Sequence, residues 1–150
     1  MREKEEFIHH FREIQPKFSR LYARLLNQAD LSLSHYALLN LLVGKKALAM
    51  TEVSGKLHVT KPAVTNLVDR LEKNRFLKRI SHPKDRRVYL LEIQPKGEKI
   101  VRKIQTQILP ILLKALEEFS PSERKTISRF YALLSKTMDQ RLAEAKTERR

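Results

Sequence analysis

A chain of 150 residues with 31 Lys and Arg against 17 Asp and Glu has a formal net charge of +14, which suits one domain with a real core and favours a polyanionic partner. It contains no Cys, which excludes disulfides, thiolate metal sites and thiol redox sensing and fits a reducing compartment. The N-terminal MREKEEFIHHF is acidic and lacks an apolar h-region, and no apolar run approaches the roughly 20 residues of a bilayer span, so a soluble cytoplasmic protein with no membrane partner is expected.

In residues 3–29, Phe7, Phe11, Ile14, Phe18, Leu21 and Leu25 alternate at spacings of four and three, the period of a helix with a narrow apolar seam. Pro16 forfeits a hydrogen bond and crowds the carbonyl of Arg12, so a kink or restart is expected near Gln15. The seam is longer than a small head needs and reads as a contact surface for another chain. In the following LSLSHYALLNLLVG, Ser32 or Ser34 caps a helix whose Tyr36, Leu38, Leu39, Leu41 and Leu42 are apolar nearly all round, which places it centrally. Gly44 ends that helix, Lys45 and Lys46 complement its dipole, and Ala47 to Met50 form a short extended lead.

The chain is organised around Thr51 to Ile93. Thr51 is expected to cap a short helix with Val53 and Leu57 turned inward. Thr60 caps a second, its hydroxyl accepting from the amide of Ala63, and Pro62 is harmless in a first turn whose amides lack intrahelical partners. Val64, Leu67, Val68 and Leu71 form the apolar stripe. The opposite face carries Lys61, Thr65, Asn66, Asp69, Arg70 and Lys73, side chains able to reach phosphates and base edges. Phe76 to Ser81 and Arg87 to Ile93 are extended runs around an exposed HPKDRR tip. From Lys73 to Arg87 seven bases face one acid, Asp85, a local charge of +6. The pattern is a helix-turn-helix followed by a wing.

From Pro95 a helix is expected with Ile100, Val101, Ile104, Ile108, Ile111, Leu112 and Leu116 inward and a bend at Pro110. Ser120-Pro121-Ser122-Glu123 is a capping box with proline at the first helical position. Ile127, Phe130, Tyr131, Leu134, Met138 and Leu142 continue the last helix, and the tail LAEAKTERR, without an apolar stripe, is expected to fray.

Helical arms, VTKPAVTNLVDRLEKNRFLKR and DRRVYLLEIQPKG together resemble the MarR family of winged-helix transcriptional regulators. The resemblance implies a mainly α fold with a small β-wing: one domain over 1–150, with a winged helix-turn-helix DNA-binding head at 31–94 and N- and C-terminal helical dimerisation arms at 1–30 and 95–150. It also implies a homodimer that binds double-stranded DNA at a palindromic operator, acting as a repressor. A small-molecule effector would enter between arms and head. The recognition helix, Lys61 to Asn74, would enter the major groove, and a wing arginine the minor groove. The residues expected at the DNA are Thr60, Lys61, Pro62, Ala63, Thr65, Asn66 and Arg70 on the recognition helix and Lys84, Asp85, Arg86 and Arg87 on the wing, with Thr51 and Lys73 on the backbone. Dimerisation falls to Phe7, Phe11, Ile14, Phe18, Ile127, Phe130, Leu134 and Met138. Asp85 either neutralises a crowded tip or, as the resemblance implies, pairs with Arg79 or Arg87 to brace the hairpin.

This sequence departs from the family pattern twice. Arg75 stands where the family usually has Gly, with Asn74 the expected left-handed substitute, and Gln94 lacks the usual capping hydroxyl.

The five histidines, at 9, 10, 35, 58 and 82, read as surface or core residues and not as a metal site. No nucleophile elbow, phosphate-binding glycine loop or HExxH occurs, so neither an enzyme nor a cofactor is expected. Charge alone would also suit a sequence-indifferent nucleoid or RNA-binding protein, and a winged helix can serve as a protein-binding scaffold.

Overall fold

The structure, a computed structural model, describes residues 2–148. Its centre is helix α2 (Leu33–Leu42), where Leu38, Leu39 and Leu42 are fully buried. Ser32, not Ser34, caps it: the Ser32 hydroxyl accepts the His35 amide at 3.2 Å, while His35 Nδ1 lies 3.3 Å from the Ser32 amide and accepts from it. A histidine thus fills the place Glu or Gln takes in the usual capping box. Helix α1 (Arg2–Gln28) packs its C-terminal half on this centre through Phe18, Leu21, Leu25 and Leu26. It runs through Pro16 without the expected restart.

Strand β1 (Leu48–Ala49) leads into α3 (Met50–Leu57), and α4 (Lys61–Lys73) follows. Thr51 does not cap α3. The cap position falls two residues earlier, at Ala49, and the Glu52 carboxylate reaches back to accept the Ala49 amide at 2.8 Å. Strands β2 (Leu77–Ser81) and β3 (Tyr89–Ile93) pair antiparallel from Leu77↔Ile93 to Ser81↔Tyr89, and β1 joins the other edge of β3 through Leu48↔Leu91. Leu91 on the central strand is fully buried, which seats the small sheet on the helices.

The turn out of α4 closes differently from expectation. Arg75 itself takes the left-handed conformation, with φ 60°, while Asn74 stays at φ −87°. The amides of Phe76 and Arg75 donate to the carbonyls of Leu71 and Glu72, each at 2.9 Å, which is the Schellman pattern. The Phe76 carbonyl then accepts the Gln94 amide at 2.9 Å and sits against Gly97, where a Cβ would come within 2.1 Å of its oxygen. Only glycine allows α5 (Pro95–Glu117) to start so close to β2. Gln94 makes no side-chain cap to α5, as its missing hydroxyl led us to expect.

Helix α5 buries Val101, Ile104 and Ile108 but leaves Ile111 and Leu112 exposed, against expectation. It continues through Pro110. The capping box forms as read: the Ser120 amide donates to Glu123 at 2.8 Å and the Glu123 amide to the Ser120 hydroxyl at 3.3 Å. Helix α6 (Pro121–Glu148) remains helical through most of the tail expected to fray; Arg149 and Arg150 lie outside the described residues. Among the described residues no helix is long and apolar enough to cross a membrane.

Candidate nucleic-acid interface

Helix α4 turns Val64, Val68 and Leu71 fully inward, so its other side is surface. Thr60, Lys61, Pro62, Thr65, Asn66, Arg70 and Lys73 are exposed there, with Ala63 half-buried, and Thr51 is exposed on α3 beside them. Thr60 caps the helix, its hydroxyl accepting the Ala63 amide at 3.3 Å. Thr65 spends its hydroxyl proton on the Lys61 carbonyl at 3.1 Å. The turn between the two helices is fixed by Ser54, a buried residue that the sequence reading passed over, whose hydroxyl donates to the Val59 carbonyl at 2.7 Å. His58 takes the left-handed position there, with φ 53°.

Two arginines are placed otherwise than expected. Arg79 does not reach Asp85. It joins β2 to α4, pairing with Asp69 and, at 2.7 Å, with Glu72, whose other oxygen accepts the Arg79 amide at 2.7 Å. The clamp makes wing and α4 one body and offsets one of the two negative charges that would otherwise repel a phosphate backbone. Arg70 reaches the α1–α2 link, with Nη2 3.2 Å from Asp30 Oδ1 and 3.4 Å from the Asp30 carbonyl. As an exposed pair it contributes roughly 0 to 1 kcal/mol, little enough for a polyanion to displace.

At the wing tip Asp85 acts on backbone, not on a guanidinium. Its carboxylate accepts the Arg87 amide at 3.0 Å and its carbonyl the Val88 amide at 3.0 Å, an Asx turn. His82 Nδ1 accepts the Lys84 amide at 3.1 Å, and the His82 amide donates to the Val88 carbonyl at 3.0 Å. The resulting tip holds Lys84, Arg86 and Arg87 exposed. Among the described residues, none of Lys61, Lys73, Arg75, Lys84, Arg86 and Arg87 is in an ion pair, so the head carries six cations without an acidic partner.

A family model for the MarR family matches residues 31–89. The helix-turn-helix-type transcriptional regulator YsmB of Bacillus subtilis (strain 168) is 30% identical over 99 residues, covering 66% of this chain and 68% of its own. The chain belongs to the MarR family. It is therefore a transcriptional regulator of the DNA-binding type. A MarR family protein from Bacillus stearothermophilus superposes with a TM-score of 0.70 at 25% identity, covering 91% of this chain and 96% of that one. A mutant of MepR from a multidrug resistant S. aureus clinical isolate gives 0.76 at 19% identity, with 88% and 96% covered. MepR of S. aureus in its complex with DNA gives 0.65 at 19% identity, with 85% and 96% covered.

The arms of this MarR-family chain are less self-contained than the head. Phe7, Phe11, Ile14, Phe130, Leu134 and Met138 are exposed, Ile127 is half-buried, and Phe18 packs partly on its own core. Phe7 and Phe130 meet edge to face with ring centres 5.6 Å apart, so α1 and α6 touch within one chain. Between them and the head runs an apolar groove of about 960 Å³, lined by Phe7, Phe11, Phe18, Tyr22, Phe130 and Tyr131 and reaching Ser32.

Proposed function

We propose that this chain is a ligand-responsive repressor that binds a palindromic operator as a homodimer. The reading is carried by one observation: the exposed face of α4, the wing tip and the six uncompensated cations lie on one rigid head, whereas the apolar surface lies on the arms. In this reading Thr60, Lys61, Pro62, Ala63, Thr65 and Asn66 lie against the major groove. Arg70 joins them by exchanging Asp30 for DNA, and Thr51 and Lys73 hold phosphates. Lys84, Arg86 and Arg87 follow the backbone into the minor groove, with Asp85 shaping the tip. DNA-bound MepR supports this use of the shared fold. The groove between arms and head has the size and apolar lining of a small-molecule site, which supports the effector role. A dimer would present two α4 helices about 34 to 36 Å apart, or a multiple of that, to successive major grooves.

Selection of bound duplexes from a random pool tests this directly. The expected product is an inverted repeat, and Asn66→Ala should relax preference at one position in each half-site by about 1 to 3 kcal/mol. A pool that emerges without any preferred sequence would support sequence-indifferent binding instead.

A further inference from the structure

The N-terminal turns of α1 carry a polar cluster that neither the DNA edge nor the apolar seam uses. Residues 1–13 hold four acids (Glu3, Glu5, Glu6, Glu13) against three bases (Arg2, Lys4, Arg12), so this segment is acidic within a chain of net charge +14. His9 and Glu13 are four residues apart and His10 and Glu13 three apart, which makes both pairs neighbours on the helix surface. Glu13 Oε2 lies 3.6 Å from His9 Nε2 and 3.8 Å from His10 Nδ1. The ligand atoms of all three fall within 4.8 Å of one another.

These distances are too long for hydrogen bonds, so the groups converge on a common space without satisfying each other. Two ligands at about 2.0 to 2.2 Å from a tetrahedral Zn²⁺ stand roughly 3.3 to 3.6 Å apart. The imidazole–carboxylate spacings therefore need only small closure, and all three side chains are more than half exposed, so they can move without repacking. On the far side of the His10 ring, Nε2 lies 3.9 Å from Glu6 Oε1. At 3.9 Å the two are not hydrogen-bonded, but a small rotation would let this nitrogen donate to Glu6, the arrangement that orients a metal-ligating histidine.

We propose that His9, His10 and Glu13 form a site for a divalent transition ion of the Zn²⁺ class, with Glu6 orienting His10 and water in the remaining position. Two imidazoles with one carboxylate select Zn²⁺, Co²⁺, Ni²⁺ or Cu²⁺ over Mg²⁺ and Ca²⁺. The bound ion bridges residues 9 to 13, the turn whose Arg12 carbonyl loses its helical partner at Pro16. It therefore staples the turn just before that missing bond, one that also carries Phe11, and His10 borders the apolar groove.

Co²⁺ titration of the full-length chain, followed by visible absorption and Zn²⁺ displacement, tests the site. One ion per chain is expected. Loss of an orienting outer-shell partner typically weakens metal binding by about 10 to 100-fold, so loss of a ligand in His9→Ala, His10→Ala or Glu13→Gln should weaken it by at least about tenfold. Glu6→Gln should have a smaller effect. Far-UV circular dichroism of the metal-free variants checks that α1 still folds. Hydrogen exchange at amides 9 to 13 should slow on Zn²⁺ addition in the parent chain and not in His9→Ala. Absence of saturable Co²⁺ binding, or binding that survives all three ligand substitutions, overturns the proposal.

Discussion

In the head, Leu38, Leu39, Val53, Val64, Val68, Leu71 and Leu91 are buried to the last few per cent, whereas in the arms Phe7, Phe11, Leu113, Tyr131 and Met138 each keep half or more of their surface. Both regions carry regular apolar stripes. What differs is closure: the head packs α3, α4, the sheet and the proximal ends of α1 and α5 around α2, while the distal arms are long helices with few neighbours in their own chain. Exposed apolar stripes of this kind are what an association surface presents, so the proposed dimer has its expected seat on the arms, whereas the head is closed within one chain.

The largest effects should separate the regions cleanly. Leu39→Ala removes a fully buried side chain and should cost about 2 to 5 kcal/mol at any protein concentration. Phe11→Ala should cost little in the single chain but, if the proposed dimer forms on this surface, lower the melting temperature in a concentration-dependent way. A concentration-independent loss of several kcal/mol for Phe11→Ala would erase the distinction.

On the head, the wing tip should show specificity without base contacts. A narrow A/T-rich minor groove attracts guanidinium groups, so Arg87→Ala should lose more affinity on A/T-flanked than on G/C-flanked operators. Lys84→Ala should weaken both alike and lower the salt slope by about 1. Equal losses for both variants on both flanks would reduce Arg87 to a phosphate contact.

Smaller still is the strain at Arg75. Its φ of 60° is glycine's territory, so Arg75→Gly should raise stability by at most about 1 kcal/mol, read as a shifted urea midpoint with unchanged slope. No gain would mean that the turn carries no strain.

Much of this was legible in the sequence where a short-range rule leaves one solution. Helix α2, apolar all round, had to be central; Thr60 and the Ser120–Glu123 box were forced by local geometry; the alternation around a polar tip gave β2 and β3. The misses arise where a side chain had several reachable partners. Arg79 is long enough for Asp69, Glu72 or Asp85, and sequence does not choose; Asp85 could serve a guanidinium or an amide two residues on, and took the amide. Glu52 outcompeted Thr51 because a carboxylate at the third helical position reaches the preceding amide. Ile111 and Leu112 continue an apolar stripe, which signals a neighbour without saying whether it belongs to the same chain.

The smallest predicted effect links the head to the base of the arms. Burial foremost, and then the charge of Arg70, hold His35 below its ordinary value of 6.5, with Asp30 partly opposing. The unfolded chain therefore takes up a proton near 6.5 while the folded one stays neutral, so stability should fall as pH drops below that point and level off once the folded value is passed. Urea unfolding across this range should show the slope, and His35→Gln should flatten it. A slope unchanged in His35→Gln would assign it to other groups.

The central claim, that a second copy completes the arms, is tested most directly by light scattering of the intact chain at micromolar concentration. The account requires twice the 17.7 kDa chain mass, reverting toward a single chain when Phe7, Phe11 and Met138 are together replaced by glutamate. A soluble, folded species of 17.7 kDa from the unaltered chain would contradict it.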